Sequence, residues 1–197
     1  MQILAELTKL RQLTCHPRLV IDDERTGSSK LTALLSLLAD ILPRGHRVLV
    51  FSQFTRLLGL VRDELQARGY PHLYLDGSTK ASERSVLVSR FMAGEAQVFL
   101  ISLKAGGTGL NLTAADYVVH LDPWWNPAAE DQASDRAHRI GQERPVTIVK
   151  LLAEDTLEER VLELHERKRR LATSALGTAQ GAFALDAGTL EQLLALA

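Results

Sequence analysis

The sequence predicts an α/β fold, a parallel β-sheet with helices on both faces. Short apolar runs rich in β-branched residues alternate with amphipathic stretches of helical period across most of the 197 residues, which is the pattern of repeated βαβ units. Several of the runs are apolar at nearly every position, as expected of strands that helices cover on both sides. Hydrophobic residues make up 46% of the chain, so the chain can bury a proper core.

Five apolar runs, among them RVLVFS and VFLISL, are predicted to be the strands of this sheet. Their length and their content of valine, isoleucine and aromatic residues are typical of strands. The predicted strands span residues 47–52, 72–77, 98–103, 117–122 and 146–153.

The amphipathic stretches are predicted to be helices. Ser28 or Ser29 is a start signal for the first of them. Asn126 can cap the helix after the fourth strand, Pro127 suits its first turn, and Gly141 follows its last periodic residue. The predicted helices span residues 31–42, 55–68, 81–92, about 127–140 and 156–171, with a further helix in the first 20 residues that ends where Pro17 breaks the pattern.

Composition excludes several classes of protein. The chain has 23 Lys and Arg against 24 Asp and Glu, a net charge of -1, so nucleic-acid binding would require a local basic patch. Its single cysteine, Cys15, cannot form an internal disulfide, and Cys15 with His16 lacks the second pair that a zinc site needs. No apolar stretch reaches about 18 residues, so neither a membrane span nor a signal peptide is predicted, and a cytoplasmic location is expected.

A glycine-rich loop, Lys104 to Asn111 (KAGGTGLN), directly follows the third predicted strand. Ligands of open parallel sheets bind at the carboxyl ends of strands. Glycines let backbone N–H groups approach a phosphate, and Lys104 adds a positive charge. The same glycines also have a purely steric interpretation. The pattern G-x-x-x-x-G-K-[ST] occurs nowhere in the chain, so the chain has no Walker A loop of its own.

Both tryptophans of the chain, Trp124 and Trp125, stand side by side after the fourth strand. Two adjacent tryptophans in an extended loop cannot both point into one core, so at least one is expected at the surface or at an interface. The alternative places one in the core and packs the other on the start of the next helix.

Two arginines, Arg136 and Arg139, are three residues apart in the predicted helix 127–140 and are therefore expected on one helix face. The planar guanidinium matches phosphate oxygens, and in phosphoryl transfer an arginine finger contributes roughly a thousandfold or more to turnover. The alternative is that these arginines pair with Asp131, Asp135 or Glu143.

Taken together, these strings resemble the second half of the helicase-like ATPase of the Swi/Snf family, within helicase superfamily two. LRQLTCHPRLV resembles the segment before the second lobe, SSKL opens that lobe, and VLVFSQFT and YLDGSTKASERSVLVSRF resemble motif IV and the motif that follows it. FLISLKAGGTGLNLTAADYVVHLDPWWNP resembles motif V with its extension, and QASDRAHRIGQ resembles motif VI. The resemblance covers about residues 7–171.

The resemblance implies a RecA-like lobe of a two-lobed motor whose first lobe carries Walker A and B and binds ATP and Mg²⁺. It implies that Arg136 and Arg139 reach across the cleft as arginine fingers, with Gly107, Gly109 and Gln132 lining the ATP cleft. The partners implied are the N-terminal RecA-like lobe of the same protein and the backbone of double-stranded DNA.

By the same resemblance, six residues lie in motifs that follow the DNA track. Trp125 matches the tryptophan that the family uses near the DNA groove, whereas Trp124 replaces the acidic residue that many relatives have there. A motor that tracks a duplex holds phosphates and does not read bases. The DNA-binding residues implied are Gln53, Ser78, Lys80, Lys104, Asn111 and Trp125.

The resemblance also divides the chain into the end of a helical insertion at 1–27, the C-terminal lobe at 28–155, and a helical extension with a tail at 156–197. The location expected is the nucleoid in a bacterium and the nucleus in a eukaryote. The isolated chain is expected to be inactive as an ATPase. Two other functions stay open: a protein-interaction module of the same fold that no longer supports hydrolysis, and a small-molecule transferase that uses the glycine loop.

Overall fold

The computed structural model describes residues 2–21, 23, 25–105, 109–139, 142 and 144–174. The five strands are β1 Val48–Ser52, β2 His72–Leu75, β3 Val98–Ser102, β4 Tyr117–His120 and β5 Thr147–Lys150. The helices are α1 Gln2–Cys15, α2 Ser29–Ile41, α3 Thr55–Ala67, α4 Ala81–Ala93, α5 Pro127–Ser134 and α6 Leu157–Ser174. All five predicted strands and all six predicted helices are present, although each predicted strand is longer than the observed one.

The strands form one parallel sheet in the order β2-β3-β1-β4-β5. The central strand is β1, in which Val48 pairs with Val98 of β3 on one side and with Tyr117 of β4 on the other. Because all strands run the same way, the loops that follow them emerge at a single edge, the carboxyl edge. The α/β fold predicted from the sequence is confirmed.

Alternate residues of each strand point to opposite faces of the sheet. In β1, Val48 and Val50 pack under α2 and α3, whereas Leu49 and Phe51 pack on the other face with Phe91 of α4. All five β1 residues are fully buried, which explains why the strand is apolar from Val48 to Phe51. The prediction of helices on both faces is therefore confirmed.

The last strand differs from this pattern. In β5, Thr147 and Ile148 are exposed, and Ile148 has 50% of its surface accessible. The strand is at the edge of the sheet and pairs on one side with β4. The expectation that helices cover this strand on both sides is therefore wrong for β5. The hydrophobic pattern of a sequence does not distinguish an edge strand from a central one.

The starts of α2 and α5 and the end of α4 have the residues that typically cap helices. Ser28 caps α2 by accepting a hydrogen bond from the Leu31 N–H, and Asn126 caps α5 in the same way through Ala128. Gly94 follows α4 with φ of 84°, a left-handed conformation that favours glycine. The predicted caps at Ser28 and Asn126 are confirmed.

The prediction that the fifth helix runs to residue 140 is wrong, because α5 ends at Ser134. Beyond it the chain continues in turns, and the carbonyl of Arg136 accepts a hydrogen bond from the Leu112 N–H at 3.1 Å. A continuing helix would use that carbonyl for its own N–H four residues later. Burial of Ala137 against the sheet turns the chain inward at this point.

The segments that precede and follow the sheet in the sequence, which include α1 and α6, also contribute buried residues. Cys15 of α1 and Leu19, in a turn of 3₁₀ helix at Pro17–Leu19, belong to the core cluster under α2 and α3. In α6, Val161 is buried. The divisions at 27/28 and 155/156 stay predictions, and the predicted docking helix of the tail lies outside the described residues. No described helix combines the length and hydropathy needed to cross a lipid bilayer.

Candidate functional site

Three loops meet at the carboxyl edge of the sheet, after β1, β3 and β4. The Leu103 N–H donates to the carbonyl of Ser52, and the Leu121 N–H donates to the carbonyl of Phe51. The ladder hydrogen bonds thus extend past the strand ends and fix the starts of the loops that carry Gln53, Lys104 and Trp125. These are the positions where ligands of an open parallel sheet bind.

Arg136 lies in the turn after α5 and is almost fully buried, with 2% of its surface accessible. Its Nε and Nη1 atoms have no hydrogen-bond partner among the described residues. Burial, together with the positive charge of Arg139, lowers the pKa of Arg136 to about 10. A buried guanidinium with unmet donors is costly, by about 1–3 kcal/mol for each group or more when charged, so this side chain is not explained by stability.

Arg139 is exposed, and its Nε donates to the carbonyl of Asp135 at 3.2 Å. The expectation that Arg136 and Arg139 share a helix face is wrong, because the helix ends before both of them. Their charges nevertheless act on each other. In the described part of the chain, neither arginine forms an ion pair with Asp135, and Glu143 lies outside it.

Gln142 holds the segment that carries both arginines. Its Nε2 lies within hydrogen-bond distance of the carbonyls of Thr113, Ala115 and Ala137, at 2.7–3.2 Å. The sequence singled out the string that ends in Gln142 but assigned this residue no role. Its side chain joins the turn around Arg136 to the loop before β4, which fixes where the arginines project.

The three residues predicted for the ATP cleft are only partly described. Gly109 has φ of 54° and open space around it, so the left-handed backbone accounts for the glycine. Gln132 is exposed on α5. Gly107 lies outside the described residues, and the structure does not test its predicted role.

Ser78 and Lys80, both exposed, stand in the turn between β2 and α4. Asp76 organises this turn by accepting hydrogen bonds from the N–H and the hydroxyl of Ser78. The hydroxyl bond is the largest cause that lowers the pKa of Asp76. The turn therefore presents a serine and a lysine beside a carboxylate that stays ionised.

A groove of about 590 Å³ runs between the first turns of α4 and the loop after β3. Asn111 lines one wall of it and Ser85 and Ser89 line the other. Arg84, on the same wall, donates to the carbonyls of Thr79 and Ala105 and so links α4 to the glycine-rich loop. Asn111 is thus the predicted DNA residue that lines this groove, and Lys104 is exposed at the end of β3.

Trp124 and Trp125 are both half-buried, so the alternative that places one of them in the core is wrong, whereas the expectation that at least one lies at the surface or at an interface stays a prediction. The Trp124 N–H donates to the Glu130 carboxylate, and the carbonyl of Trp125 lies 3.3 Å from His165 Nε2. The ring of Trp125 faces the guanidinium of Arg11, with Cζ 4.5 Å from the ring centroid. The loop is therefore fixed by α1, α5 and α6.

Sequence reasoning missed a buried polar network behind these loops. Ser52 donates to Asp122, and Lys30 donates to Glu158 at 2.6 Å and to the carbonyl of Leu121 at 2.8 Å. Burial raises the pKa of Asp122. Arg11 is the fifth member of this network. The sequence contains a local signal for its burial, because Arg11 stands in the buried stripe of α1 that contains Leu7 and Cys15. No group of three or more His, Cys, Asp or Glu in the described residues could hold a metal ion.

His120 gives the chain a predicted pH dependence. It is buried, stacks on Phe51 and lies 3.1 Å from the Ser134 hydroxyl, and burial lowers its pKa to about 4. As the pH falls below about 6.5, His120 becomes protonated in the unfolded chain but stays neutral in the folded chain. We expect the free energy of unfolding to fall by about 3 kcal/mol between pH 7 and pH 4 through this group.

Urea unfolding of the chain at both pH values measures this loss. The variant His120→Phe should lose about 3 kcal/mol less than the wild type over the same range. Equal losses in the two proteins would show that His120 is not the responsible group.

The comparisons with known proteins identify the family. The helicase conserved C-terminal domain model matches residues 29–141. The chain is 42% identical over 184 residues to mouse SWI/SNF-related matrix-associated actin-dependent regulator of chromatin subfamily A member 1, covering 87% of this chain and 18% of that protein. The chain belongs to the Swi/Snf family of helicase-like ATPases, as its C-terminal RecA-like lobe.

Two further matches support this membership in the Swi/Snf family. The zebrafish chromodomain-helicase-DNA-binding protein 1-like is 41% identical over 194 residues, covering 93% of this chain and 19% of that protein. The Sulfolobus solfataricus SWI2/SNF2 ATPase core in complex with double-stranded DNA superposes with a TM-score of 0.76 at 31% identity, covering 97% of this chain and 41% of that one. The chain spans about a fifth of the length of the curated relatives it matches.

Proposed function

We propose that this Swi/Snf lobe is the second half of an ATP-dependent translocase on double-stranded DNA. In this account Arg136 and Arg139 are arginine fingers for ATP that the N-terminal RecA-like lobe of the same protein holds with Mg²⁺. One observation carries the proposal: Arg136 is a buried guanidinium with two donors that nothing in the described part of the chain accepts. The γ-phosphate of a nucleotide between the lobes is an acceptor of the right charge.

The two arginines suit different parts of this role. The turn that Gln142 holds fixes Arg136, so its guanidinium is oriented before ATP arrives, which lowers the entropic cost of reaching the transition state. Arg139 is exposed and attached through its Nε alone, so its outer nitrogens are available to a phosphate. Gly109 and Gln132 border the same cleft, and closure of the two lobes completes the set of residues.

The proposed DNA contacts are to phosphates. Lys80 and Lys104, both exposed, supply charge. Ser78 and Asn111 supply hydrogen bonds, with Asn111 in the groove between α4 and the loop after β3. Such contacts fix the position of the protein on the duplex without reading the sequence. The net charge of -1 is compatible with this role, because a few local cations suffice when two lobes share the duplex.

DNA-stimulated ATP hydrolysis by the complete protein tests this function. Duplexes of unrelated sequence should stimulate hydrolysis equally. The variant Lys104→Ala should weaken binding and reduce by about 1 the slope of log affinity against log salt, because one phosphate contact is lost. The matched control is Arg44→Ala, which removes an exposed arginine paired with Asp40 before β1, at the opposite edge of the sheet.

The control should leave the slope unchanged. If DNA does not stimulate the wild-type protein at all, the translocase proposal fails. If Lys104→Ala and Arg44→Ala change the salt dependence equally, the proposed DNA track is wrong.

A further inference from the structure

Arg11 of α1 is buried where two loops of the carboxyl edge meet. Only 2% of its surface is accessible, and burial lowers the pKa of its guanidinium. A charge at such a depth is expensive unless it is paired and hydrogen-bonded. The nature of its partners therefore indicates what the charge is for.

The partners of the Arg11 guanidinium belong to these two loops. After β1, Gln53 Oε1 accepts a hydrogen bond at 3.2 Å and the ring of Phe54 lies 5.8 Å from Cζ. After β4, the carbonyl of Pro123 accepts a hydrogen bond, an Asp122 oxygen lies 3.9 Å from Nη2, and Trp125 lies under Cζ at 4.5 Å. One rigid, planar group thus joins both loops to α1.

The chemistry of the contacts requires a guanidinium. Arginine can donate in two directions within its plane while an aromatic ring stacks on its face, whereas the ammonium of lysine is a point charge without a plane. A purely structural role at this depth is met more cheaply by an apolar side chain of similar volume. The two residues that Arg11 contacts most directly by side chain, Gln53 and Trp125, are both among the DNA-binding residues that the Swi/Snf resemblance implies.

We propose that Arg11 is a positioning residue that sets the Trp125 ring and the Gln53 amide in the arrangement that engages DNA. This inference rests on the proposed function, because it assumes that the two residues face a duplex. It also gives α1 a functional role, since this helix carries the guanidinium that contacts both loops. The segment before the lobe is thereby coupled to the DNA track.

The test is a double-mutant cycle in the complete protein, read as the DNA concentration that gives half-maximal ATPase stimulation. Arg11→Lys should raise this concentration about tenfold, the equivalent of losing the stacking and the second hydrogen bond of the guanidinium. In a Trp125→Leu background the same change should raise it less than twofold, because Arg11 acts through the ring. Independent tenfold effects in the two backgrounds would overturn the proposal.

Leu7→Ala is the matched structural control, because Leu7 is buried on the same stripe of α1. It should lower the thermal midpoint without raising the half-maximal DNA concentration. If it raises that concentration as much as Arg11→Lys does, Arg11 merely stabilises α1 and the proposal is wrong. Should Arg11→Lys not fold, Arg11→Gln, which keeps a planar donor but has no charge, takes its place.

Tryptophan emission separates this inference from the proposed function. The chain has two tryptophans, adjacent in the sequence, so their emission reports on this loop. Arg11→Lys should shift the emission maximum and Leu7→Ala should not. If the wild-type protein shows no DNA stimulation, the translocase function fails, and an unshifted emission in Arg11→Lys would then overturn the positioning role by itself.

Discussion

Replacing Arg139 by alanine in the complete protein is expected to lower DNA-stimulated ATP turnover roughly a thousandfold or more, the contribution of an arginine finger to phosphoryl transfer. The effect should fall on kcat, because the guanidinium meets charge that develops on the γ-phosphate in the transition state. Arg139 is exposed, so the fold should be unaffected. Steady-state turnover at saturating ATP and DNA measures the effect, with Arg44→Ala as the matched exposed-arginine control.

Replacing Arg136 shows whether its burial serves function or stability. Arg136→Met should abolish turnover to a similar degree and yet raise the stability of the lobe by about 1 kcal/mol, because it removes two buried donors that have no partner in the described chain. A gain of stability on loss of function is typical of a strained active site. If Arg136→Met destabilises the chain and Arg139→Ala retains near-normal turnover, both finger assignments are wrong.

The second large effect concerns the buried pair between Lys30 of α2 and Glu158 of α6. Glu158 is fully buried and also accepts hydrogen bonds from the Thr14 hydroxyl and the Ala153 N–H. Glu158→Ala leaves the Lys30 ammonium, 4% exposed, with the carbonyl of Leu121 as its remaining acceptor among the described residues. We expect a loss of about 3–5 kcal/mol in the free energy of unfolding, measured by urea denaturation.

A matched surface pair provides the control. Glu64 and Arg68 form an exposed pair on and just after α3, at 3.1 Å, and Glu64→Ala should cost less than about 1 kcal/mol. The double variant Lys30→Met with Glu158→Leu should recover most of the stability, because it removes both charges. Equal losses for Glu158→Ala and Glu64→Ala would mean that the buried pair does not stabilise the fold.

The sheet could be predicted from the sequence because its information is local. The residues Val48 to Phe51 are all apolar because both faces of β1 are covered, and this run of apolar residues is visible in the sequence. The caps at Ser28 and Asn126 are equally local. The polar network could not be predicted in this way, since Lys30 and Glu158 are far apart in the chain and only the fold brings them together.

The end of α5 also could not be predicted from local sequence. Local pattern carried the predicted helix to residue 140, but a hydrogen bond from Leu112, more than twenty residues earlier, takes the carbonyl of Arg136. With the burial of Ala137, this tertiary contact accompanies a turn in which Arg136 is buried and Arg139 is exposed. The residue types that suggested phosphate chemistry were recognisable in the sequence, whereas their arrangement depends on the packed loop before β4.

Whether this lobe reaches the nucleotide is measured most directly by photo-crosslinking with an ATP analogue that carries a photoreactive group on its γ-phosphate. The complete protein is irradiated with DNA present and the labelled peptides are mapped. The label should appear on the peptide that contains residues 135–142, in addition to the lobe that holds the nucleotide. Labelling confined to the other lobe, with none on residues 28–155, would contradict the account.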